Sequence, residues 1–299
     1  MTTIALCGLG QMGLPVAGRL ATVSDVLAFD ISAERRDLAA RDARVTTTDA
    51  LGDLAACDVI VLSLPNPAVS RSVVRELAGR VSPGTVVIET STVLPRDVRE
   101  WGAILEPAGG SVIDAAVLSG VGQMTGGAAT LLVGGDEPVI RRVSHVLDAL
   151  GGAGWRRYGD LGAGMAAKVV NNGVAHAVMV VLVEAFALAQ AEGVALDDIA
   201  DMLERPDGGL VRPLTHRIME RMANGDYEGG MPLDAARKDS TLALAMAQGA
   251  GVPLFATQAA QSVYDLGLAG GLARSDYSAI ATLWEQWTGA ALSYRKVAG

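Results

Sequence analysis

The stretch that decides the fold runs from Asp160 to Gly193, DLGAGMAAKVVNNGVAHAVMVVLVEAFALAQAEG. From Met165 to Glu192 it holds no proline and one glycine, Gly173, so it predicts a single helix of roughly 40 Å. Its apolar residues fall on every side, the pattern of a helix covered all round. Lys168, Asn171, Asn172, His176 and Glu184 interrupt it, short of the roughly 18 uninterrupted apolar residues that a membrane crossing needs. Lys168 and Asn172 stand four apart and share one face of the first turns. Strands and helices alternate before this helix and only helical patterns follow it, so it marks a domain junction.

At the amino end, residues 3–7 form a short apolar run that ends in Gly8-Leu9-Gly10-Gln11-Met12-Gly13, followed by a helical pattern over 14–21. Strand, glycine turn and helix are the context of a dinucleotide fingerprint. Gly8 permits the tight turn, Gly10 lets a pyrophosphate approach the backbone, and Gly13 lets the helix pack close to the strand. The helix N-terminus then receives the phosphate charge. The next strand, over 25–29, ends at Asp30, 22 residues after Gly8. A carboxylate there accepts hydrogen bonds from the adenosine ribose and repels a 2′-phosphate, which favours NAD over NADP; the other role open to Asp30 is capping the helix that begins near Ala33. Arg35 and Arg36 lie a turn into that helix, while Ile31 holds the position where a 2′-phosphate site wants a basic residue.

Alternation continues with a short strand near Val45, strands over 58–64, 85–89, 111–113, 128–133 and 155–158, and helices from Pro67, after Pro95 and over 137–150. Such a chain builds a doubly wound parallel sheet with its ligand at the carboxyl ends of the strands. Those ends carry Leu64-Pro65-Asn66-Pro67 and Thr90-Ser91-Thr92. The first reads as a rigid turn and helix start, the second as hydroxyls and amides able to face a ribose or nicotinamide; turn formation alone is the other reading of both. Beyond Gly193, helical segments over 196–205, 212–223, 233–248, 254–266 and 275–294 are separated by glycines. The expected architecture is α/β plus all-α: a Rossmann-type domain over 1–163, the long interdomain helix, and a helical substrate and oligomerisation domain over 164–299.

Only Lys168, Lys238 and Lys296 among the 24 basic residues are lysine. A sequence that uses arginine almost everywhere has kept lysine in an apolar helix, and lysine's pKa falls readily on burial while arginine's does not. Proton transfer is one reason to keep Lys168; a solvated surface position is the other. With 33 acidic residues the net charge is −9, and no basic stripe invites nucleic acid. Cys7 and Cys57 read as buried reduced thiols of a cytoplasmic protein rather than a disulfide or metal site. No basic leader opens the chain.

Together these residues resemble the β-hydroxyacid dehydrogenases, the family of 3-hydroxyisobutyrate dehydrogenase and tartronate semialdehyde reductase, over nearly the whole chain. The marks are the Gly8–Gly13 turn, Ser91-Thr92-Val93-Leu94-Pro95, the Gly162-x-Gly164-x-x-x-Lys168-x-x-Asn171-Asn172 segment, and Lys238-Asp239. The resemblance implies a hydride transfer between a nicotinamide cofactor and a small β-hydroxy acid or its semialdehyde. It makes Lys168 the general acid or base, Asn172 a substrate-orienting group with Asn171 beside it, and Lys238 a residue near cofactor and substrate. Leu64, Pro65, Asn66 and Thr92 join the cofactor set. If close, Lys238 would lower the Lys168 pKa by like-charge repulsion; pairing with Asp239 or Asp234 is its alternative.

The family's substrate loop reads Asp-x-Pro-Val-Ser-Gly-Gly, and this chain departs from it after Asp114: Ala116, Leu118 and Ser119 stand where proline, serine and the first glycine are usual. Leu118 cannot donate from its side chain. Either Ser119 and the Gly120 amide take over, or the site accepts something other than a small hydroxy carboxylate. The Asp-Ala-Ala-Val-Leu form also looks like the loop of the imine reductases, which usually lack the lysine and tend to use NADPH, so Lys168 and Asp30 argue against that assignment. A catalytically silent dinucleotide-binding scaffold is the reading of another class. The long apolar helix exceeds what one helical unit covers, and related enzymes associate through this half, so a homodimer or homotetramer is expected.

Overall fold

A computed structural model of the chain describes residues 2–292. These fall into two compact units that divide between Gly173 and Val174. In the first unit eight strands form one sheet in the order β3-β2-β1-β4-β5-β6-β7-β8. They are β1 (Ile4–Cys7), β2 (Val26–Phe29), β3 (Val45–Thr48), β4 (Val59–Leu62), β5 (Val86–Glu89), β6 (Ser111–Val117), β7 (Leu131–Gly134) and β8 (Trp155–Gly159). The helices of this unit are α1 (Gly13–Ala21), α2 (Ala33–Ala39), α3 (Pro67–Ala78), α4 (Pro95–Leu105), α5 (Val121–Thr125), α6 (Glu137–Arg142) and α7 (Ser144–Leu150).

The central strands β1, β4 and β5 are buried on every residue, which is why they read as unbroken apolar runs rather than alternating ones. On one face Leu6, Val61 and Ile88 pack with Leu20 of α1 and Leu147 of α7. On the other, Ile60, Leu62 and Val87 pack with Leu77 of α3 and Trp101 of α4. The chain leaves β1 for β2 on one side and returns beyond it as β4, so strand order reverses between β1 and β4. A cleft opens at such a point.

Three expectations for this unit need correction. The sheet is not wholly parallel, because β7 runs antiparallel to β6, with Asp114 opposite Gly134. The connecting residues 118–130 hold only the short α5, not the full helix that a parallel crossover ordinarily carries. The expected helix over 137–150 is two, broken at Val143, whose φ of −110° and ψ of 15° leave the helical region. Two stretches for which the sequence gives no element are helical: the residues after Gly120 include α5, and a 3₁₀ helix occupies Leu51–Ala56.

The long helix α8 (Ala163–Ala191) is continuous, as its lack of proline requires, but it is not covered all round. Val170 and Met179 are 66% and 60% exposed, and Val174 and Val183 are also exposed, while Met165, Glu184, Leu188 and Ala189 are buried. An apolar surface on every side states how much must be covered, and this chain covers part of it. By length and composition α8 could cross a membrane. Its first turn, however, is fixed in the sheet unit through Met165, and Glu184 is tied to backbone amides of the second unit.

In the second unit α9 (Leu196–Glu204), α10 (Leu233–Ala250), α11 (Phe255–Ala269) and α12 (Ala281–Thr288) are helical as expected, with shifted ends. The segment Pro213–Arg221 is a π-helix continued by a 3₁₀ turn at Met222–Asn224. The helix expected over 275–294 is a 3₁₀ turn at Tyr277–Ile280 followed by α12, which Gly289 ends with φ of +67°; residues 293–294 of that expectation, and Lys296, lie outside the described residues. Glu184 caps α11 by accepting from the Ala256 and Thr257 amides at 2.7 and 3.2 Å. Burial pushes the Glu184 carboxyl up, but these bonds outweigh it and hold it below the ordinary value.

Candidate active site

A cavity of about 1160 Å³ opens at the carboxyl ends of β1, β2 and β4, lined by Gly10, Gln11, Met12, Asp30, Leu64 and Pro65, with Gly8 and Gly13 at its back. Each glycine meets a different steric demand. Gly8 has φ of +100°, and a Cβ there would lie 2.2 Å from the Ser63 carbonyl oxygen. A Cβ on Gly13 would lie 2.1 Å from the Gly8 carbonyl oxygen, so α1 could not approach the turn. At Gly10 a Cβ would meet nothing within 4 Å: the space beside that backbone is open. The α1 N-terminus, which begins at this turn, has no side-chain cap, which leaves amide donors for an anion.

Asp30 stands at the cavity wall with both carboxylate oxygens braced. Oδ2 accepts the Leu9 amide at 2.7 Å and Oδ1 the Ser32 amide at 2.8 Å. Ser32, not Asp30, caps α2, accepting from the Arg35 amide. Arg36 donates to the Asp30 carbonyl at 2.7 Å, and Arg35 lines the cavity. Leu9 turns its side chain into the core. Asn66 caps α3, its Oδ1 accepting the Val69 amide at 3.0 Å, and it and Thr92 are absent from the cavity lining. Sequence reasoning passed over Arg80 and Glu76, which α3 and the turn after it bring to the same wall; no local pattern announces residues delivered by a crossover.

Beneath the two strand-end turns lies Glu89, fully buried. Its Oε1 accepts the Ser91 amide at 2.7 Å, and Ser91 Oγ accepts the Leu64 amide at 2.7 Å. The carboxyl thus joins the turns after β4 and β5. Burial, opposed by the bonds from Ser91, pushes it up from 4.5 to about 7.

Lys168 and Asn172 are half-buried on α8, whereas Val169, Val170 and Asn171 between them are exposed, as their shared helix face requires. Asn171 Nδ2 approaches Asn172 Oδ1 at 3.4 Å. Among the described residues no ion pair forms to Lys168, and burial alone holds its ammonium below the ordinary lysine value. The start of α8 is wedged in place by backbone. A Cβ on Gly162 would lie 2.9 Å from the Pro95 carbonyl, and one on Gly164 2.3 Å from that of Leu132. Lys238 lies in α10 of the second unit and pairs with Asp239 at 3.0 Å, exposed to solvent.

The substrate-loop donors are already engaged. Ser119 Oγ donates to the Leu118 carbonyl at 2.7 Å and accepts the Thr130 amide at 3.1 Å. The Gly120 amide donates to Gln123 Oε1 at 2.9 Å. Leu118 packs against the core.

Residues 3–159 match the family described as the NAD binding domain of 6-phosphogluconate dehydrogenase, and residues 162–284 the one described as NAD-binding of NADP-dependent 3-hydroxyisobutyrate dehydrogenase. A 2-(hydroxymethyl)glutarate dehydrogenase of Eubacterium barkeri is 32% identical over 97% of each chain. The chain belongs to the β-hydroxyacid dehydrogenase family. It is an NAD-dependent oxidoreductase of that family. The 3-hydroxyisobutyrate dehydrogenase of Mycobacterium tuberculosis superposes with a TM-score of 0.65 at 31% identity, over 95% of this chain and 99% of that one. An imine reductase from Myxococcus stipitatus reaches 0.86 at 18% identity over the same shares, a likeness of fold alone.

Proposed function

We propose that this dehydrogenase interconverts a small β-hydroxy acid and its semialdehyde, with Lys168 as general acid and base and Asn172 orienting the substrate. The observation that carries this is a half-buried lysine with a lowered pKa and no ion-pair partner among the described residues. The open side of Gly10, the uncapped start of α1 and the braced Asp30 carboxylate fit a dinucleotide: Gly8, Gly10 and Gly13 would take the pyrophosphate and Asp30 the adenosine ribose, favouring NAD over NADP. When bound, the nicotinamide supplies or accepts hydride. As negative charge develops on the substrate oxygen during reduction, the Lys168 ammonium donates its proton to that oxygen; in oxidation the neutral amine takes the hydroxyl proton. Because Ser119 and the Gly120 amide are spent inside the loop, the reading gives Asn171, Asn172 and Lys238 the larger part in holding the substrate.

The functional division follows the sequence, a cofactor domain over 1–163 and a substrate and assembly domain over 164–299. A second copy of this chain covers the exposed Val170, Val174, Met179 and Val183 of α8, giving a homodimer or homotetramer; a stable monomer by light scattering would refute it. The free buried thiols Cys7 and Cys57 suit a cytoplasmic protein, and the reading includes neither nucleic acid nor membrane as a partner.

The deciding experiment compares Lys168→Arg with Lys168→Ala. Arginine keeps the charge but cannot yield its proton near neutral pH, so both variants should lose turnover by roughly 10² to 10⁴ while cofactor affinity holds. Rescue by arginine would mean that charge alone matters, and substantial activity in Lys168→Ala would end the assignment. Leu118 in the loop favours one second reading, reduction of a C=N bond. Cyclic imines screened beside hydroxy acids and semialdehydes test it.

A further inference from the structure

Asp114 sits in the middle of β6 among apolar neighbours and is fully buried. Its Oδ1 accepts the Gly162 amide and its Oδ2 the Met165 amide, both at 2.7 Å, and the Gly164 amide also turns toward it. The Gly164 and Met165 amides belong to the first turn of α8, where no earlier carbonyl is available. A side chain just ahead of a helix ordinarily satisfies them; here the acceptor comes from a strand 48 and 51 residues away in sequence. The surroundings are cut to this carboxylate. A Cβ on Gly134, its partner across the antiparallel pair, would lie 2.5 Å from Oδ1, and one on Gly164 2.9 Å from Oδ2. Burial pushes the carboxyl above the ordinary aspartate value, and the three amides oppose that rise.

We propose that Asp114 is the positioning residue of the active site: its carboxylate fixes the start of α8, and with it Lys168, against the strand that leads into the substrate loop. Lys168 is three residues beyond Met165, within one helical turn. Leu118 is four residues beyond Asp114, the first residue after the same strand. A single side chain therefore sets the place of the proton-transfer group relative to the loop, and its negative charge also suits the positive end of the helix dipole. The proposal rests on the reading of Lys168 as the proton-transfer group.

Asp114→Asn keeps the shape but turns an amide N–H toward one of the donors it should accept from. Hydrogen exchange should then quicken at Gly162, Gly164 and Met165 while β1 and β4 keep their protection. Single-turnover hydride transfer should fall roughly 10- to 100-fold, the loss expected from misplacing a reacting group by about 1 Å, with cofactor affinity unchanged. The apparent pKa of the pH–rate profile should rise toward that of free lysine as Lys168 gains water. Asp114→Glu should not rescue, since Gly134 and Gly164 leave no room for a longer side chain. A wild-type rate, or a lost rate with an unmoved profile, would overturn the proposal. If Asp114→Asn does not fold, exchange in the wild type decides: Gly162 and Met165 amides should be as slow as β6, and exchange as fast as a frayed helix end refutes the clamp. Activity surviving in Lys168→Ala would instead remove the Lys168 reading and leave the exchange result standing.

Discussion

Glu89→Gln should make the protein less sensitive to rising pH. The carboxyl is buried without a bond to Oε2, and its pKa in the folded chain is about 7 against an ordinary 4.5. The folded state therefore holds this proton to higher pH than the unfolded state does. Its contribution to stability is fully present below about pH 4.5 and is lost as pH rises through about 7. A shift of this size, at about 1.4 kcal/mol per unit, corresponds to about 3 kcal/mol once the group is fully ionised. Glutamine keeps the oxygen that accepts the Ser91 amide and carries no charge to bury, so it escapes that loss. Differential scanning calorimetry of wild type and variant, without cofactor, should show melting temperatures that diverge in the variant's favour between pH 5 and 8. The divergence for the sheet unit should reach roughly 6–12 °C. Melting curves that shift in parallel over this range would mean that Glu89 does not titrate there, and the account of its burial would be wrong.

Asp30→Asn should raise the NADP/NAD ratio of kcat/KM about tenfold, the effect of removing one unit charge worth about 1.4 kcal/mol at the 2′-phosphate, with Arg35 already at the cavity wall; a wild type that prefers NADP would refute it. Gly10→Ala should weaken cofactor binding and leave the melting temperature of the free protein unchanged, since its Cβ meets nothing. Gly8→Ala, by contrast, should destabilise by more than about 1 kcal/mol through its positive φ and the Ser63 carbonyl, and calorimetry with cofactor titration separates the two. Because the Lys168 pKa is lowered by burial, oxidation should accelerate and reduction slow as pH rises through a value below 10.5; profiles that do not oppose each other would count against Lys168.

The glycine turn was legible because each of its constraints is local: Gly8, Gly10 and Gly13 answer to neighbours within one strand-to-helix junction. The direction of β7 was not, since alternation of strand and helix says nothing of polarity when the intervening helix is as short as α5. The covering of α8 was illegible for a different reason. Hydropathy records what must be kept from water, and another chain can meet that need as well as this one. The site divides in the same way. Lys168 and Asn172 could be paired from their spacing, while Asp114 looked like the first letter of a substrate motif because its partners lie in a distant helix start. Ser119 and Gly120 show the limit most clearly. A motif names donors by position, but whether a donor is free depends on whether Thr130, Leu118 and Gln123 come close enough to use it. With the usual loop serine replaced by Leu118, Ser119 and the Gly120 amide would have to leave these local bonds before either could hold a substrate.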